Sequence, residues 1–90
     1  MATAAVKILA EDMDEDMMQF AIQAITQAFD SCKLERDVAS NIKKQFDTNY
    51  QPTWNCAVGR DFGSHVVHQT KRYVFASYHD NFYILLWKSN

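Results

Sequence analysis

The glycine and proline of this chain are confined to one short stretch: Pro52, Gly59 and Gly63 lie within it, and no other position carries either residue. A chain reverses direction most easily at such residues, so long uninterrupted elements are expected on either side. Residues ahead of the stretch follow a helical period and residues after it a strand period. Pro52 biases Gln51 towards an extended backbone and ends the helix before it. From Thr53 to Val58 the pattern alternates, with Trp54, Cys56 and Val58 on one face and Asn55 and Ala57 on the other. Gly59 and Gly63 bracket a turn, and Ser64-His65-Val66-Val67-His68 opens a further strand. Any working edge of the molecule is expected in this region.

Ahead of the stretch, Ala5-Val6-Lys7-Ile8-Leu9 alternates weakly and reads as a short strand added to a sheet edge. Glu11, Asp12, Asp14, Glu15 and Asp16 follow. Asp12, Asp14 and Asp16 have the spacing of the first calcium-loop ligands, but Met17 stands where the loop needs Gly and Gln23 where it needs a bidentate Glu. A helix N-terminus accounts better for the acids, with Asp14 as cap and Glu15 and Asp16 complementing the helix dipole. Met18, Ile22, Ile25, Phe29 and Cys32 then form one apolar stripe. Met17, Ala21, Ala24 and Ala28 form a second beside it, whose small residues allow a close neighbour. Leu34, Val38, Ile42, Phe46 and Tyr50 define a second amphipathic helix. Its Glu35, Arg36, Asn41, Lys43, Lys44 and Asp47 face solvent.

Beyond the stretch, Tyr73-Val74-Phe75-Ala76-Ser77-Tyr78 and Phe82-Tyr83-Ile84-Leu85-Leu86-Trp87 read as strands joined by the polar turn His79-Asp80-Asn81. The last strand is apolar on both faces, so it is expected to be buried on both. Two helices cover one face of a sheet. A second copy of the chain is the economical cover for the other, and a homodimer is expected.

Ninety residues make a single domain over positions 1–90, and a formal net charge of −2 gives no clustered positive surface for nucleic acid. No stretch nears the roughly 18 apolar residues of a membrane span, and residues 1–7 lack the pattern of a secretion signal. Cys32 and Cys56 have no metal-type spacing and read as buried free thiols in a reducing compartment, so a cytosolic location is expected. Catalysis has little footing. His65 and His68 point to opposite faces of a strand, and the Gly59 to Gly63 segment lacks the Lys and Ser/Thr of a phosphate loop. No cofactor, metal site or catalytic residue is expected.

Three segments together resemble one known family. These are Ile42-Lys43-Lys44-Gln45-Phe46-Asp47, then Tyr50-Gln51-Pro52-Thr53-Trp54-Asn55-Cys56-Ala57-Val58-Gly59-Arg60-Asp61-Phe62-Gly63-Ser64, then His68-Gln69-Thr70-Lys71. They are similar to the DYNLL-type cytoplasmic dynein light chains, as is the closing Ile84-Leu85-Leu86-Trp87-Lys88-Ser89. The resemblance runs from about Val6 to Ser89. It implies an α+β fold with two N-terminal helices packed on an antiparallel sheet, five strands to a protomer, and a crossing strand exchanged within a homodimer. It also implies a non-catalytic light-chain subunit of the cytoplasmic dynein motor, and a dimerising hub that adds client segments as extra strands in two grooves.

By position, the resemblance assigns the groove to Glu35, Arg36, Phe62, Gly63, Ser64, His65, Val66, Val67, His68, Tyr73 and Phe75, with Lys7 and Asp12 as lesser candidates. The dimer interface would hold Asn55, His65, Val67 and Ser89. The implied partners are a dynein intermediate chain and other proteins with Thr-Gln-Thr-like motifs, on cytoplasmic microtubule-associated dynein. A scaffold that dimerises clients outside dynein is the alternative. The chain departs from the family at Asn55 (usually His), His65 (Tyr), Val67 (Thr) and Ser77 (Tyr), and its last hairpin is one residue longer. Asn55 cannot titrate, and His65 is expected to take over part of that titration between about pH 5 and 7. Phosphorylation of Ser89 would place charge beside the apolar contact.

Overall fold

The computed structural model describes residues 5–60 and 72–89. Their elements are β1 (Val6–Glu11), α1 (Glu15–Ser31), α2 (Glu35–Asn49), β2 (Trp54–Gly59), β3 (Tyr73–Tyr78) and β4 (Phe82–Lys88). The strands form an antiparallel sheet in the order β1-β3-β4-β2, with both helices on one side. The turn expected after Gly59, the strand expected from Ser64 and the crossing of that strand to a partner lie outside the described residues.

The helix ends follow from local chemistry. Asp14 caps α1 as expected, its carboxylate accepting the Met17 N–H at 2.9 Å, with Glu15 and Asp16 in the first turn. Leu34 holds the corresponding place before α2 but has no polar side chain to cap with. Tyr50 closes α2 through its N–H to the Phe46 carbonyl at 2.9 Å, two residues ahead of Pro52.

Alternation along the strands decides the core. Val74 and Ala76 of β3 stand opposite Leu86 and Ile84 of β4, and all four are fully buried beneath the helices. Trp54 of β2 joins them, packed against Phe46 with ring centroids 4.8 Å apart and closer to it than to Tyr50 at 6.4 Å. Its indole N–H is buried and has no hydrogen-bond acceptor among the described residues. Phe46, Ile42 and Val38 supply the buried face of α2, each side chain being worth roughly 1.5–3 kcal/mol of burial.

One element is refined relative to the sequence reading, and another differs from it in extent. In α1 the small-residue stripe is the deeper one: Met17, Ala21, Ala24 and Ala28 are buried, together with Ile25, while Met18, Ile22, Phe29 and Cys32 are half-buried at the margin. Alanine lets backbones approach closely, so the helix seats itself on its smallest side chains. β1 continues past Leu9 to Glu11 through a register shift between Ile8 and Ala10. The shift leaves Leu9 half-exposed at the edge of the sheet, where such irregularities discourage unwanted pairing.

The β3–β4 hairpin turns through His79 and Asp80, closed by the Asn81 N–H to the Tyr78 carbonyl at 3.1 Å. Both central residues have positive φ, 54° and 58°. Consecutive positive φ values are the requirement of type I′ turns, although here the loop between Tyr78 and Phe82 has three residues.

Candidate functional site

The side of the sheet away from the helices carries the residues of interest. Across β3 and β4 it presents Tyr73 opposite Trp87, Phe75 opposite Leu85 and Ser77 opposite Tyr83. β2 extends each row with Asn55 beside Trp87, Ala57 beside Leu85 and Gly59 beside Tyr83. Phe75 and Tyr83 stack diagonally, centroids 6.0 Å apart. Ser77 is buried, whereas every other member of these rows is only half-buried. On the opposite face Trp54, Val74, Ala76, Ile84 and Leu86 are fully buried, so one side of the sheet carries the core and the other is an apolar floor.

The floor is bounded by β2, an edge strand of the described sheet. The outer backbone groups of an edge strand are open to another strand. At one end of β2, Asn55 donates its Nδ2–H to the Ser89 hydroxyl at 2.5 Å, and the Ser89 N–H reaches the Thr53 carbonyl at 2.8 Å. Two residues expected in one interface, far apart in sequence, are therefore in contact with each other.

At the other end, beyond Gly59, Arg60 meets the start of α2. Its Nε lies 3.9 Å from a Glu35 carboxylate oxygen, and its guanidinium sits over the Phe82 ring, 5.2 Å from the centroid. An open depression there is lined by Lys33, Leu34, Glu35 and Arg36. The first N–H groups of a helix have no intrahelical acceptor, and at α2 the cap residue Leu34 offers them no side-chain acceptor.

The site residues expected from sequence thus separate into groups. Tyr73 and Phe75 share the apolar floor, Asn55 and Ser89 pair at one corner, and Glu35 and Arg36 stand exposed at the opposite end. Lys7 pairs with the Asp80 carboxylate at 3.2 Å, and Asp12 donates its N–H to the Tyr73 carbonyl at 2.8 Å beside the floor. Phe62, Gly63, Ser64, His65, Val66, Val67 and His68 lie outside the described residues. Sequence reasoning passed over Arg60, whose one signal was its place directly after Gly59 in the motif that carries the resemblance.

Cys56 lies on the helix side of β2, opposite Leu86. Burial pushes its thiol up to about 12, which favours the protonated form at neutral pH. Among the described residues no cluster of three or more His, Cys, Asp or Glu side chains could hold a metal ion.

An antiparallel sheet covered by two helices on one side, with an apolar floor and an edge strand on the other, defines a small α+β domain. The family model for dynein light chain type 1 matches residues 5–89. A dynein light chain of Schistosoma mansoni is 49% identical over 78 residues, covering 87% of this chain and 86% of that one. The fold is shared with the dynein light chain-like domain of the Fasciola hepatica calcium binding protein FhCaBP2. Its mercury derivative has a TM-score of 0.78 at 18% identity, over 99% of this chain and 96% of that one. Its native crystal has a TM-score of 0.77 at 19% identity, over 94% and 91%. The chain belongs to the dynein light chain family, a family of non-catalytic subunits.

Proposed function

We propose that the protein is a homodimeric light-chain subunit of the cytoplasmic dynein motor, on microtubules, and that it holds extended client segments in grooves flanking the dimer. The observation that carries this reading is the half-buried floor of Tyr73, Phe75, Tyr83, Leu85 and Trp87 beside the open edge of β2. A floor of this composition favours burial against protein. An edge strand favours strand addition, here of the partner's crossing strand, which then offers its own outer edge to the client. Main-chain hydrogen bonds give affinity and alternate side chains give selectivity.

The ends of the site suit a short linear motif. β2 has six residues, about 20 Å at strand spacing, and it runs from the Asn55–Ser89 corner to the uncapped start of α2. A client glutamine reaching that start can place its side-chain carbonyl where a capping oxygen would sit, against the N–H groups of Glu35 and Arg36. Phe62 to His68 would supply the strand that pairs with the client, and Asn55, His65, Val67 and Ser89 would lie in the dimer contact. With two grooves, a bivalent client gains through effective concentration without new contacts.

Calorimetric titration with a Thr-Gln-Thr peptide, on a sample sized by light scattering, tests the reading. A dimer that takes up one peptide per protomer is expected, together with co-purification of a dynein intermediate chain. A monomer that ignores the peptide would remove the proposal.

A further inference from the structure

We infer that the flank of α1 lying over β1 is a second docking surface, independent of the groove, and that it takes a basic amphipathic helix of another protein. The helical period locates this flank. Phe20 packs edge-on against Phe46 and Tyr50, centroids 5.1 and 5.5 Å away, so its side of α1 faces α2. At about 100° per residue, Met18, Ile22 and Phe29 lie half a turn round from Phe20. Phe29 there stacks on Tyr78 of β3 at 4.1 Å, and Tyr78 stands opposite Val6 of β1. Met18, Ile22 and Phe29 are only half-buried, as are Ile8 of β1 and Met13 just before α1. From Met18 to Phe29 the strip is about 16 Å long at the helical rise, room for three turns of a second helix.

The charge beside the strip selects the partner. Between Ile8 and Cys32 the charged side chains are Glu11, Asp12, Asp14, Glu15, Asp16 and Asp30, and none is basic. Glu15 and Asp30 are exposed next round α1 from the strip, and Glu11 is exposed at the end of β1. An apolar strip with an acidic rim complements a segment that has an apolar face and basic flanks. The same rim repels nucleic acid and acidic lipid. Methionines at Met13 and Met18 adapt to the shape of an incoming apolar face. A helix fits better than a strand, because the register shift between Ile8 and Ala10 interrupts the regular edge that strand addition needs. The strip belongs to the helix side of the sheet, so its occupation leaves the floor and β2 free.

The test titrates the full-length protein with a synthetic Leu/Lys peptide whose leucines recur at i, i+3, i+4 and i+7, with and without saturating Thr-Gln-Thr peptide. The controls are a peptide of the same composition with its leucines scattered, and a Leu/Glu peptide of the same pattern. The patterned Leu/Lys peptide should bind at least about tenfold more tightly than either control, and equally with the Thr-Gln-Thr peptide present. M18S/I22S should weaken it by about tenfold. D30K, which places a cation favourably near the C-terminal end of α1, should weaken it by about threefold to tenfold, and by less in high salt. D30K carries the test if circular dichroism shows M18S/I22S unfolded. Equal binding of the controls, or full affinity in D30K, overturns the inference. So does competition by the Thr-Gln-Thr peptide, which would put the Leu/Lys peptide in the groove. Assembly beyond a dimer that D30K abolishes would assign the strip to a second copy of the chain, and overturns it too. A wild type that ignores the Thr-Gln-Thr peptide but meets the Leu/Lys expectations removes the groove reading and leaves this inference standing.

Discussion

Asp47, near the end of α2, accepts the Trp54 N–H through Oδ1 at 2.8 Å and the Lys43 ammonium through Oδ2. One carboxylate thereby sets where β2 begins after the turn at Pro52. The hydrogen bond from Lys43 is the main influence holding its carboxyl below the ordinary aspartate value of 3.8; the Trp54 N–H and the Lys88 charge add to it, and burial opposes them. A carboxyl with a depressed native pKa contributes stability that is present above its unfolded value and lost as pH falls through the lower native one. D47N keeps the acceptor oxygen and removes the charge. It should cost about 1 kcal/mol at pH 7, and the gap from wild type should close as pH falls below about 4. Urea unfolding across pH 2–7 measures this; a gap independent of pH would contradict the assignment. At the Asn55–Ser89 corner no such titration exists, because neither side chain changes charge in this range.

Among the elements, α2 and the β3–β4 hairpin each carry a local cost. Leu34 gives the first helix donors no side-chain cap where the client is proposed to bind. L34D should stabilise the helix by about 0.5–1 kcal/mol while weakening the Thr-Gln-Thr peptide, because the new carboxylate would occupy the client's donors. Melting temperature and calorimetric affinity moving in opposite directions would confirm it; both rising together would not fit. In the hairpin, His79 and Asp80 hold left-handed backbone without the freedom of glycine. H79N/D80G supplies the pair that type I′ turns favour. Its gain of about 0.5–1 kcal/mol should raise the melting temperature by several degrees, although the exposed Lys7–Asp80 pair is lost. An unchanged melting temperature would mean that the turn is under no local strain.

For the whole molecule, the two faces of the sheet have different work. The helix side closes around Trp54, Val74, Ala76, Ile84 and Leu86 within one chain. The other side leaves Tyr83, Leu85 and Trp87 half-buried. In the proposed dimer L85K buries a charge in the contact without disturbing the sealed core. It should therefore yield a folded monomer with reduced peptide binding, read by sedimentation and circular dichroism. A folded dimer of wild-type affinity would place Leu85 outside the interface.

Much of the fold was legible in the residues because it follows from chemistry near in sequence. Asp14 before an apolar stripe marks a helix start, Pro52 a helix end, and the alternation from Tyr73 and from Phe82 the two strands of a hairpin. The double-sided apolar pattern of Phe82 to Trp87 already called for cover on both faces. The depth of the Ala21, Ala24 and Ala28 stripe was not legible, since alanine is weak in any hydropathy pattern and its burial depends on how closely a neighbour approaches. The bulge at Leu9 was hidden too, because a register shift is set by the partner strand. Glu35, Arg36, Asn55, Tyr73, Phe75 and Ser89 entered as candidates through family resemblance, with no local pattern to single them out. Period and punctuation are properties of neighbouring residues, and the sequence alone determines them. Contacts such as Asn55 with Ser89, Asp47 with Trp54 and Arg60 with Glu35 join residues brought together only by packing, so the tertiary structure decided them.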